Sequence, residues 1–269
     1  MSSSDVRAKP RLDEIKDGAS AIVVLTSAGS KRLIAKAVVK LPVVQSALKS
    51  GRVVVANGTT NAYIVEELLG DSVPKYYFAG GYIAHGGLWA TSREVRLPPC
   101  VLIDGRPVDV PVDEAISEFN SDDVFIKGAN ALDLSGSIGV LVAGDASGTI
   151  GMALPTLLAR GSHLVAPVGL EKLVPSVREA AAKCGQLRFD HVMGRPIGLV
   201  PVMNATVVTE IQALSILFQV EATHVASGGI GGHEGAVTLV VEGTEDAVRQ
   251  AFEMAEGLKN EPSVTVLTP

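Results

Sequence analysis

The sequence predicts an α/β protein: a doubly wound, mostly parallel sheet with a β-hairpin insertion, followed by a small ferredoxin-like α+β domain. Two observations predict the sheet: short, nearly continuous apolar segments alternate with helical patterns, and small-residue turns join them. The tail predicts the second unit through its order of elements, βαββαβ. We therefore expect an N-terminal arm over residues 1–18, an α/β domain over residues 19–195 and the ferredoxin-like domain over residues 196–269.

The elements of the larger domain follow from apolar runs and helical spacing. AIVVLT at residues 21–26 is a β-branched segment, and the helical pattern after it breaks at Pro42 and ends at Gly51. Because strands and helices keep alternating, we expect a mostly parallel sheet. The predicted strands are residues 21–26, 52–56, 123–128, 138–144 and 163–167, and the predicted helices are residues 31–51, 60–69, 112–119, 149–159 and 170–184.

Residues 74–111 and the tail have different patterns. The first segment has aromatic and β-branched pairs between glycine and proline dipeptides, which predicts hairpins with Asp104-Gly105 as a favourable two-residue turn. In the tail, Thr244 supplies an N-cap for the last helix. The tail's predicted strands are residues 198–203, 222–227, 236–243 and 263–268, and its predicted helices are residues 209–219 and 244–260.

The composition argues against several classes of protein. The chain has 269 residues, 47% of them hydrophobic and 19% charged, and a net charge of -6, which is wrong for a nucleic-acid binder. No apolar segment is long enough to cross a membrane. Cys100 and Cys184 fit neither a disulfide framework nor a metal-binding spacing, which indicates a reduced, cytoplasmic protein. The scattered histidines predict no metal site, and the absence of glycine-rich nucleotide motifs predicts no nucleotide cofactor.

Three turns join a strand to a helix through Gly, Ser and Thr: TSAGSKR at 26–32, ANGTTN at 56–61 and GDASGTIG at 144–151. In an open parallel sheet, ligands bind at the carboxyl ends of the strands, where helix N-termini present free N–H groups and a partial positive charge. A plain helix cap explains each turn singly, whereas three at one edge indicate a site for a phosphate or carboxylate. In the second turn the candidates are Asn57, Gly58, Thr59 and Thr60.

The segment DVFIKGANALDLSG at residues 123–136 contains a candidate pair for proton transfer, Lys127 and Asp133. A lysine at the end of a buried strand could neutralise an anion or act as an acid, and Asp133 could be a general base if burial raised its pKa. The alternative is that Lys127 extends to solvent and Asp133 caps a turn. His85, in the hairpin YIAHGGLW, lies either over a pocket or in a surface or dimer contact.

These features together resemble a known superfamily. The turn after the second strand, the strand and loop DVFIKGANAL, and GTIGMALPTLLARGSHLVAPVGLEKLV look like the fold shared by ribose-5-phosphate isomerase, glucosamine-6-phosphate deaminase and the coenzyme A transferases. The resemblance covers roughly residues 20–195. It implies a cleft lined by the turn at Gly58, Thr59 and Thr60, by the loop Gly128 to Ala131 with Asn130, by the loop Ser147, Gly148 and Thr149, and by Lys172. Asp145, just before the last loop, is a further ligand-binding candidate.

The chain departs from the superfamily in its acids. Where the isomerases carry an acidic loop, this sequence reads K-G-A-N-A, with Asn130 at the place of an acid. The transferases use a glutamate beside glycines as their nucleophile, and no glutamate here has that setting. The departures weaken the case for isomerase or transferase chemistry, while anion binding is unaffected.

Two functions follow as hypotheses. The first is an enzyme acting on a phosphorylated sugar, a carboxylate or a coenzyme A derivative, with Thr59 and Thr60 holding the anion and Lys127, Asp133 or Asp145 moving protons. The second is a regulatory or metabolite-binding protein in which the same cleft senses a metabolite and the tail assembles oligomers or binds an effector. The missing acid favours the second, and the gathering of polar residues in one predicted cleft favours the first. In both cases we expect a homo-oligomer with a small anionic metabolite as its partner, and neither nucleic acid nor a membrane.

Overall fold

A computed structural model describes residues 18–144 and 147–266. The predicted N-terminal arm, apart from Gly18, lies outside the described residues. The described chain is a mixed α/β structure whose largest sheet has six strands. The strands are β1 (Gly18–Leu25), β2 (Arg52–Val55), β3 (Gly81–Ala84), β4 (Gly87–Ala90), β5 (Cys100–Ile103), β6 (Arg106–Val108), β7 (Val124–Ile126), β8 (Ala131–Leu132), β9 (Ile138–Val142), β10 (His163–Pro167), β11 (Gly198–Val202), β12 (Thr206–Val208), β13 (Glu221–Gly228) and β14 (Ala236–Thr244).

Several helix boundaries confirm the sequence patterns. Pro42 begins a helix, where its missing N–H costs nothing, and Gly70 ends another in the left-handed conformation with φ of 75°. The helices are α1 (Ser27–Val38), α2 (Pro42–Ser50), α3 (Thr59–Leu69), α4 (Lys75–Phe78), α5 (Val112–Ser117), α6 (Gly148–Arg160), α7 (Val177–Lys183), α8 (Glu210–Phe218) and α9 (Glu245–Gly257).

The single helix predicted at residues 170–184 is wrong. The chain forms a short 3-10 helix at Leu170–Lys172, leaves the helical conformation before Pro175, and starts again as α7. The physical reason is local, because Pro175 cannot donate the N–H that a continuous helix needs there. Ser176 then caps α7 by accepting a hydrogen bond from the Glu179 N–H at 3.1 Å.

The largest sheet has the order β12, β10, β7, β2, β5 and β6. The first four strands run parallel, and β5 and β6 extend the sheet as an antiparallel hairpin. The turn of that hairpin confirms the prediction, since Asp104 and Gly105 have φ of 49° and 74°. Val53, Phe125 and Val165 at the middle of the sheet are fully buried, as expected for parallel strands covered on both faces.

Residues 138–144 were expected in the parallel sheet, and this placement is wrong. They form β9, which pairs antiparallel with β11 and β8 in a separate three-stranded sheet. Gly139 allows β9 and β11 to lie close together, because a Cβ at this position would be 2.9 Å from Leu199 Cδ1. An apolar run predicts a buried strand but not the partner with which it forms hydrogen bonds.

The first strand is also in an unexpected place. β1 pairs antiparallel with β14, and β14 pairs with β13, so the three strands form a sheet of their own. The burial along β1 alternates, with Val23 and Leu25 buried while Ile22 and Val24 are 65% and 54% exposed. This period of two is typical of a strand with one covered face, as opposed to a central parallel strand.

The predicted ferredoxin-like arrangement of the tail is not confirmed. β11 belongs to the sheet with β9, and residues 206–208, where no strand was predicted, form β12 beside β10. The final strand predicted at residues 263–268 is absent over residues 263–266, and the rest of it lies outside the described residues. The division at residues 195 and 196 stays a prediction, as does the doubly wound arrangement.

A hairpin and a loop complete the walls of the cleft described below. β3 and β4 form a two-stranded hairpin. The Leu88 N–H donates to the Met193 carbonyl at 2.9 Å and the Arg195 N–H donates to the Leu88 carbonyl at 2.8 Å, so residues 193–195 lie along β4. Gly194 has φ of 92° and lies so close that a Cβ would be 2.2 Å from the Leu88 carbonyl oxygen.

Candidate functional site

A cavity of about 320 Å³ lies at the carboxyl ends of β2, β7 and β10. This volume is at the lower end of the range of about 300–1,000 Å³ that is usual for small-molecule sites. Of the residues predicted for the site, Asp133 does not line the cavity, and Asp145 lies outside the described residues. The predicted residues that line it are Asn57, Gly58, Thr59, Thr60, Lys127, Gly128, Asn130, Ser147, Gly148, Thr149 and Lys172. Their role in binding stays a prediction.

The turn after β2 presents the N-terminus of α3 to the cavity. Among the described residues no side chain caps this helix, and its first intrahelical bond joins the Ala62 N–H to the Gly58 carbonyl. The N–H groups of Thr59 and Thr60 are therefore free of intrahelical partners at a wall of the cavity. Asn57 has a structural role, because its Nδ2 donates hydrogen bonds to the carbonyls of Phe78 and Leu97 and so connects the turn to the segments that contain these residues.

Helix α6 brings a second N-terminus to the same cavity. Ser147 and Gly148 have φ of 57° and 58°, so the chain turns in the left-handed conformation just where α6 begins. No side chain among the described residues caps α6. The N-termini of α1, α8 and α9 are different, since Thr26, Thr209 and Thr244 cap them. The turn TSAGSKR, which was one of the three candidate turns, is thus an ordinary helix cap.

Two lysines lie at the ends of neighbouring strands. Lys127 follows β7 and donates from Nζ to the Asn57 carbonyl at 3.0 Å, and Lys172 follows β10 and donates to the Ala129 carbonyl at 3.0 Å. Burial, with a smaller contribution from the positive charge of Lys172, lowers the pKa of Lys127 to about 8. Lys127 therefore does not extend freely into solvent, and the alternative raised from the sequence is wrong for this residue.

Three arginines that the sequence did not single out line the cavity as well: Arg93, Arg96 and Arg195. Burial lowers the pKa of Arg96, and the charges of Arg93 and Arg195 lower it further. Arg96 donates to the Thr91 carbonyl, but its buried Nε has no hydrogen-bond partner among the described residues. Arg93 and Arg96 follow the β3–β4 hairpin and Arg195 is about a hundred residues later, so no sequence spacing predicts that they meet.

The cavity has an excess of positive charge. None of the three arginines or of Lys127 and Lys172 forms an ion pair within the described chain, although other arginines and lysines do. No described residue that lines the cavity has a carboxylate. Like charges that are close together repel each other, and water screens the half-buried Arg96, Lys127 and Lys172 less well than the exposed Arg93 and Arg195. An anion in the cavity would relieve this repulsion.

A second cavity, also of about 320 Å³, adjoins the first. The two share Ile83, Leu88, Arg195 and Ile197, and the second is bounded mainly by apolar side chains such as Phe189 and Met193. His85 is exposed at the tip of the β3–β4 hairpin with φ of 49° and lines neither cavity. The sequence left two positions open for His85, over a pocket or at the surface, and the structure places it at the surface.

Asp133 holds a loop together. Its Oδ1 accepts hydrogen bonds from the Ser135 N–H and hydroxyl and from the Ser137 N–H, and its Oδ2 accepts one from the Val177 N–H at 2.9 Å. The hydrogen bond from the Ser135 hydroxyl, followed by the one from Val177, lowers the pKa of Asp133. The expectation of a base whose pKa is raised by burial is therefore wrong, and Asp133 caps a turn as the alternative held.

Asn61 is a polar residue of the site region that the sequence did not reveal. It is fully buried, and its Nδ2 donates to the Ala56 carbonyl at 2.6 Å and to the Ile126 carbonyl at 3.2 Å. These bonds connect the ends of β2 and β7, from which the turn at Gly58 and Lys127 project. The sequence does contain a signal for this role, namely an asparagine on the otherwise apolar face of a predicted helix. A buried amide needs hydrogen-bond partners, which indicates contacts of this kind.

The described residues contain no group of three or more His, Cys, Asp or Glu side chains arranged to hold a metal ion. Within the same residues, no helix has both the length and the apolar character needed to cross a bilayer. In comparisons with protein families, curated proteins and solved structures, the chain matches none of them. The case for a function therefore depends on the geometry of the cavity.

Proposed function

We propose that this protein binds a small metabolite carrying a phosphate or another anionic group in the cavity at the ends of β2, β7 and β10. The observation that carries the proposal is the meeting of Arg93, Arg96 and Arg195 with Lys127 and Lys172, with no carboxylate among the described lining residues. Surplus positive charge destabilises a folded chain through repulsion, and more so where it is half-buried, as at Arg96, Lys127 and Lys172. A site that keeps this charge is therefore expected to have a functional reason for it, such as an anionic ligand.

Phosphate fits the donors better than a simple carboxylate does. The N-termini of α3 and α6 both present N–H groups at the cavity, and such groups bind phosphate oxygens well. Guanidinium groups add paired donors, each of which can bind two oxygens of a phosphate or of a carboxylate. A phosphorylated sugar or the phosphates of a coenzyme A derivative have this chemistry, and a short carboxylic acid would use only part of it.

The test is isothermal titration calorimetry with inorganic phosphate, sugar phosphates, short carboxylic acids and coenzyme A thioesters. We expect a phosphorylated compound to bind, and Arg195→Gln to weaken it by about 1–3 kcal/mol through loss of a charge-assisted bond. Arg178→Gln is the matched control, because Arg178 is an exposed arginine of α7 that does not line the cavity. Equal affinities in wild type and both variants would exclude this cavity as the site.

Two roles for the bound metabolite are supported by different observations. An isomerase- or transferase-like enzyme is supported by Lys127, whose amine lies at the cavity beside a second lysine. A metabolite-binding or regulatory protein is supported by the engagement of Asp133 in four hydrogen bonds outside the cavity. Once a ligand binds, product analysis by mass spectrometry after prolonged incubation separates the two, because only an enzyme changes the ligand.

The assembly and location of the protein are part of the same proposal. The strands β1 and β13 each pair only with β14 in the described chain, so both are open edges to which a second copy could add. Cys100 and Cys184 are both free thiols, which supports a location in the reducing environment of the cytoplasm.

A further inference from the structure

We propose that Lys127 is a nucleophile that forms a Schiff base with an aldehyde or ketone carrying an anionic group, an inference that rests on the anion-binding function proposed above. The geometry points to this residue first. Lys127 follows the central strand β7, and its Nζ lies at the cavity, where it is held by one hydrogen bond to the Asn57 carbonyl at 3.0 Å. An amine held by a carbonyl keeps its lone pair available once it has lost a proton.

No carboxylate among the described residues stabilises the charged form of Lys127. Within the described chain it has no ion pair, and no described lining residue supplies a carboxylate. The charge acting on it is that of Lys172, which is directed to the same cavity and donates to the Ala129 carbonyl. A lysine that is desolvated and placed beside another cation is a recognised arrangement for an amine nucleophile.

The protonation equilibrium agrees with this geometry. Burial first, and the charge of Lys172 second, lower the pKa of Lys127 to about 8. At pH 7 about a tenth of such an amine is neutral, against roughly 0.03% of a lysine with an ordinary pKa. The neutral fraction of Lys127 is therefore larger than that of an exposed lysine by a factor of about 300.

The proposed step balances without any oxidant or metal. The neutral Nζ attacks the carbonyl carbon, the C–O double bond becomes a single bond, and a proton shift from nitrogen to oxygen yields a carbinolamine. Protonation of its hydroxyl allows water to leave, and the C–N double bond forms. The Lys172 ammonium is an acid at the same cavity that can supply this proton. The immediate product is the protonated imine, and its N–H proton returns to the Lys172 amine, so the net products are one imine and one water and no atom changes its oxidation state.

The arginines define the class of carbonyl compound. Arg93, Arg96 and Arg195 line the same cavity as Lys127, so an anionic group bound by them keeps the rest of a small molecule near the amine. A cavity of about 320 Å³ suits a compound of a few carbon atoms together with a phosphate. We therefore expect a short phosphorylated aldehyde to react faster than an uncharged aldehyde of the same length.

The experiment is reductive trapping of the full chain with glycolaldehyde phosphate and sodium cyanoborohydride, followed by intact mass and peptide mapping. The expected result is one equivalent of label at Lys127, with a rate that rises with pH towards 8 and falls when inorganic phosphate is added. Lys127→Arg keeps the positive charge but forms no stable imine, so labelling of the site should fall at least tenfold. Lys259→Arg, a change on an exposed lysine, should leave the rate unchanged.

Several results would overturn the inference. Label spread over exposed lysines, label on Lys172 in place of Lys127, or an unchanged rate in Lys127→Arg would each exclude Lys127 as the nucleophile. Equal rates with glycolaldehyde and its phosphate would exclude the anionic substrate class. Calorimetry with inorganic phosphate separates this failure from that of the proposed function: if phosphate binds but no imine is trapped, only the Schiff base is wrong.

Discussion

Arg96 is a half-buried guanidinium beside the exposed Arg93 and Arg195, and its position costs folding free energy. Its Nε has no partner among the described residues, and its other bond is to the Thr91 carbonyl. Leaving a buried charged donor unpaired costs about 1–3 kcal/mol or more. Arg96 is therefore expected to lower the stability of the unliganded protein and to raise its affinity for an anion, a trade-off that is common in functional sites.

Arg96→Met tests this conflict. We expect the unliganded variant to unfold at the same or a higher urea concentration than wild type, because an apolar chain of similar length replaces an unpaired charge. Its affinity for phosphate should fall at least tenfold, measured by calorimetry. Arg178→Met, on the exposed side of α7, should change neither quantity. A loss of stability without a loss of affinity would mean that Arg96 is structural.

Glu210 is a second buried charge, away from the cavity lining. It is fully buried at the start of α8, and its Oε2 accepts a hydrogen bond from the Leu170 N–H at 2.9 Å. Burial, followed by the negative charge of Glu171, raises the pKa of Glu210 to about 7. Because the folded pKa is above the unfolded value, the stabilisation is complete below about pH 4.5 and is lost as the pH rises through about 7.

Glu210→Gln should remove this pH dependence. Wild type is expected to lose about 1.4 kcal/mol per pH unit between pH 5 and pH 7 through this one group, whereas the variant stays neutral at every pH. Lys31 lies nearby with its pKa lowered, chiefly by burial, to about 8, so it titrates above this range. Urea unfolding at pH 5, 6 and 7 measures the slope. Exposed Glu114→Gln is the control, and an equal slope in all three proteins would contradict the assignment.

At the scale of elements, the cavity depends on how a hairpin and a distant loop meet. The β3–β4 hairpin and residues 193–195 are joined by two backbone hydrogen bonds at Leu88. Arg195 lies at this junction and lines both cavities. The close approach requires a glycine at position 194, where φ is 92°. The glycine therefore positions one of the three arginines.

Gly194→Ala should separate the two segments and weaken ligand binding. The added Cβ would lie 2.2 Å from the Leu88 carbonyl oxygen, a distance that the backbone must relieve by moving apart. Gly232→Ala is the matched control, since Gly232 has nearly the same φ of 93° but no atom within 4 Å of an added Cβ. Both variants carry the backbone strain, of order 1 kcal/mol. We expect phosphate affinity, measured by calorimetry, to fall only in Gly194→Ala.

At the scale of the whole molecule, the sheet of β13, β14 and β1 combines exposed apolar side chains with outer strands that have open edges within the described residues. Ile22, Val24 and Val225 on or next to its outer strands are each more than half exposed. Both outer strands have unpaired edges in the described chain. Exposed edges with apolar side chains favour pairing with a second copy, and natural monomers often place a lysine there.

Val225→Lys tests self-association at β13. Val225 lies at the irregularity of β13 between His224 and Ala226, and its side chain is 53% exposed, so a lysine fits without disturbing the core. We expect wild type to sediment as a dimer or larger assembly and the variant to sediment closer to the monomer. Val95→Lys is the control, because Val95 is 49% exposed but lies outside this sheet. Wild type sedimenting as a monomer would exclude assembly by any face.

By itself, the sequence determined the local elements and one wall of the candidate site. The sequence predicts the helix boundaries at Pro42 and Gly70 and the hairpin turn at Asp104-Gly105, because the backbone preferences of these residues act within a few positions. The turn at Gly58 and Thr59 could be predicted for the same reason. A strand followed by small residues and a helix indicates that the N-terminus of the helix lies at the carboxyl end of the strand.

Only the tertiary structure decided which strands pair and which charges meet. β1 joins β14, more than two hundred residues away along the chain, and Arg195 lines the same cavity as Arg93 and Arg96, which are about a hundred residues earlier. The same applies to Asp133, whose bond from the Val177 N–H makes it a loop cap. Hydrogen bonding, burial and Coulomb repulsion depend on distances in space. A sequence pattern predicts such distances only between residues that are close together along the chain.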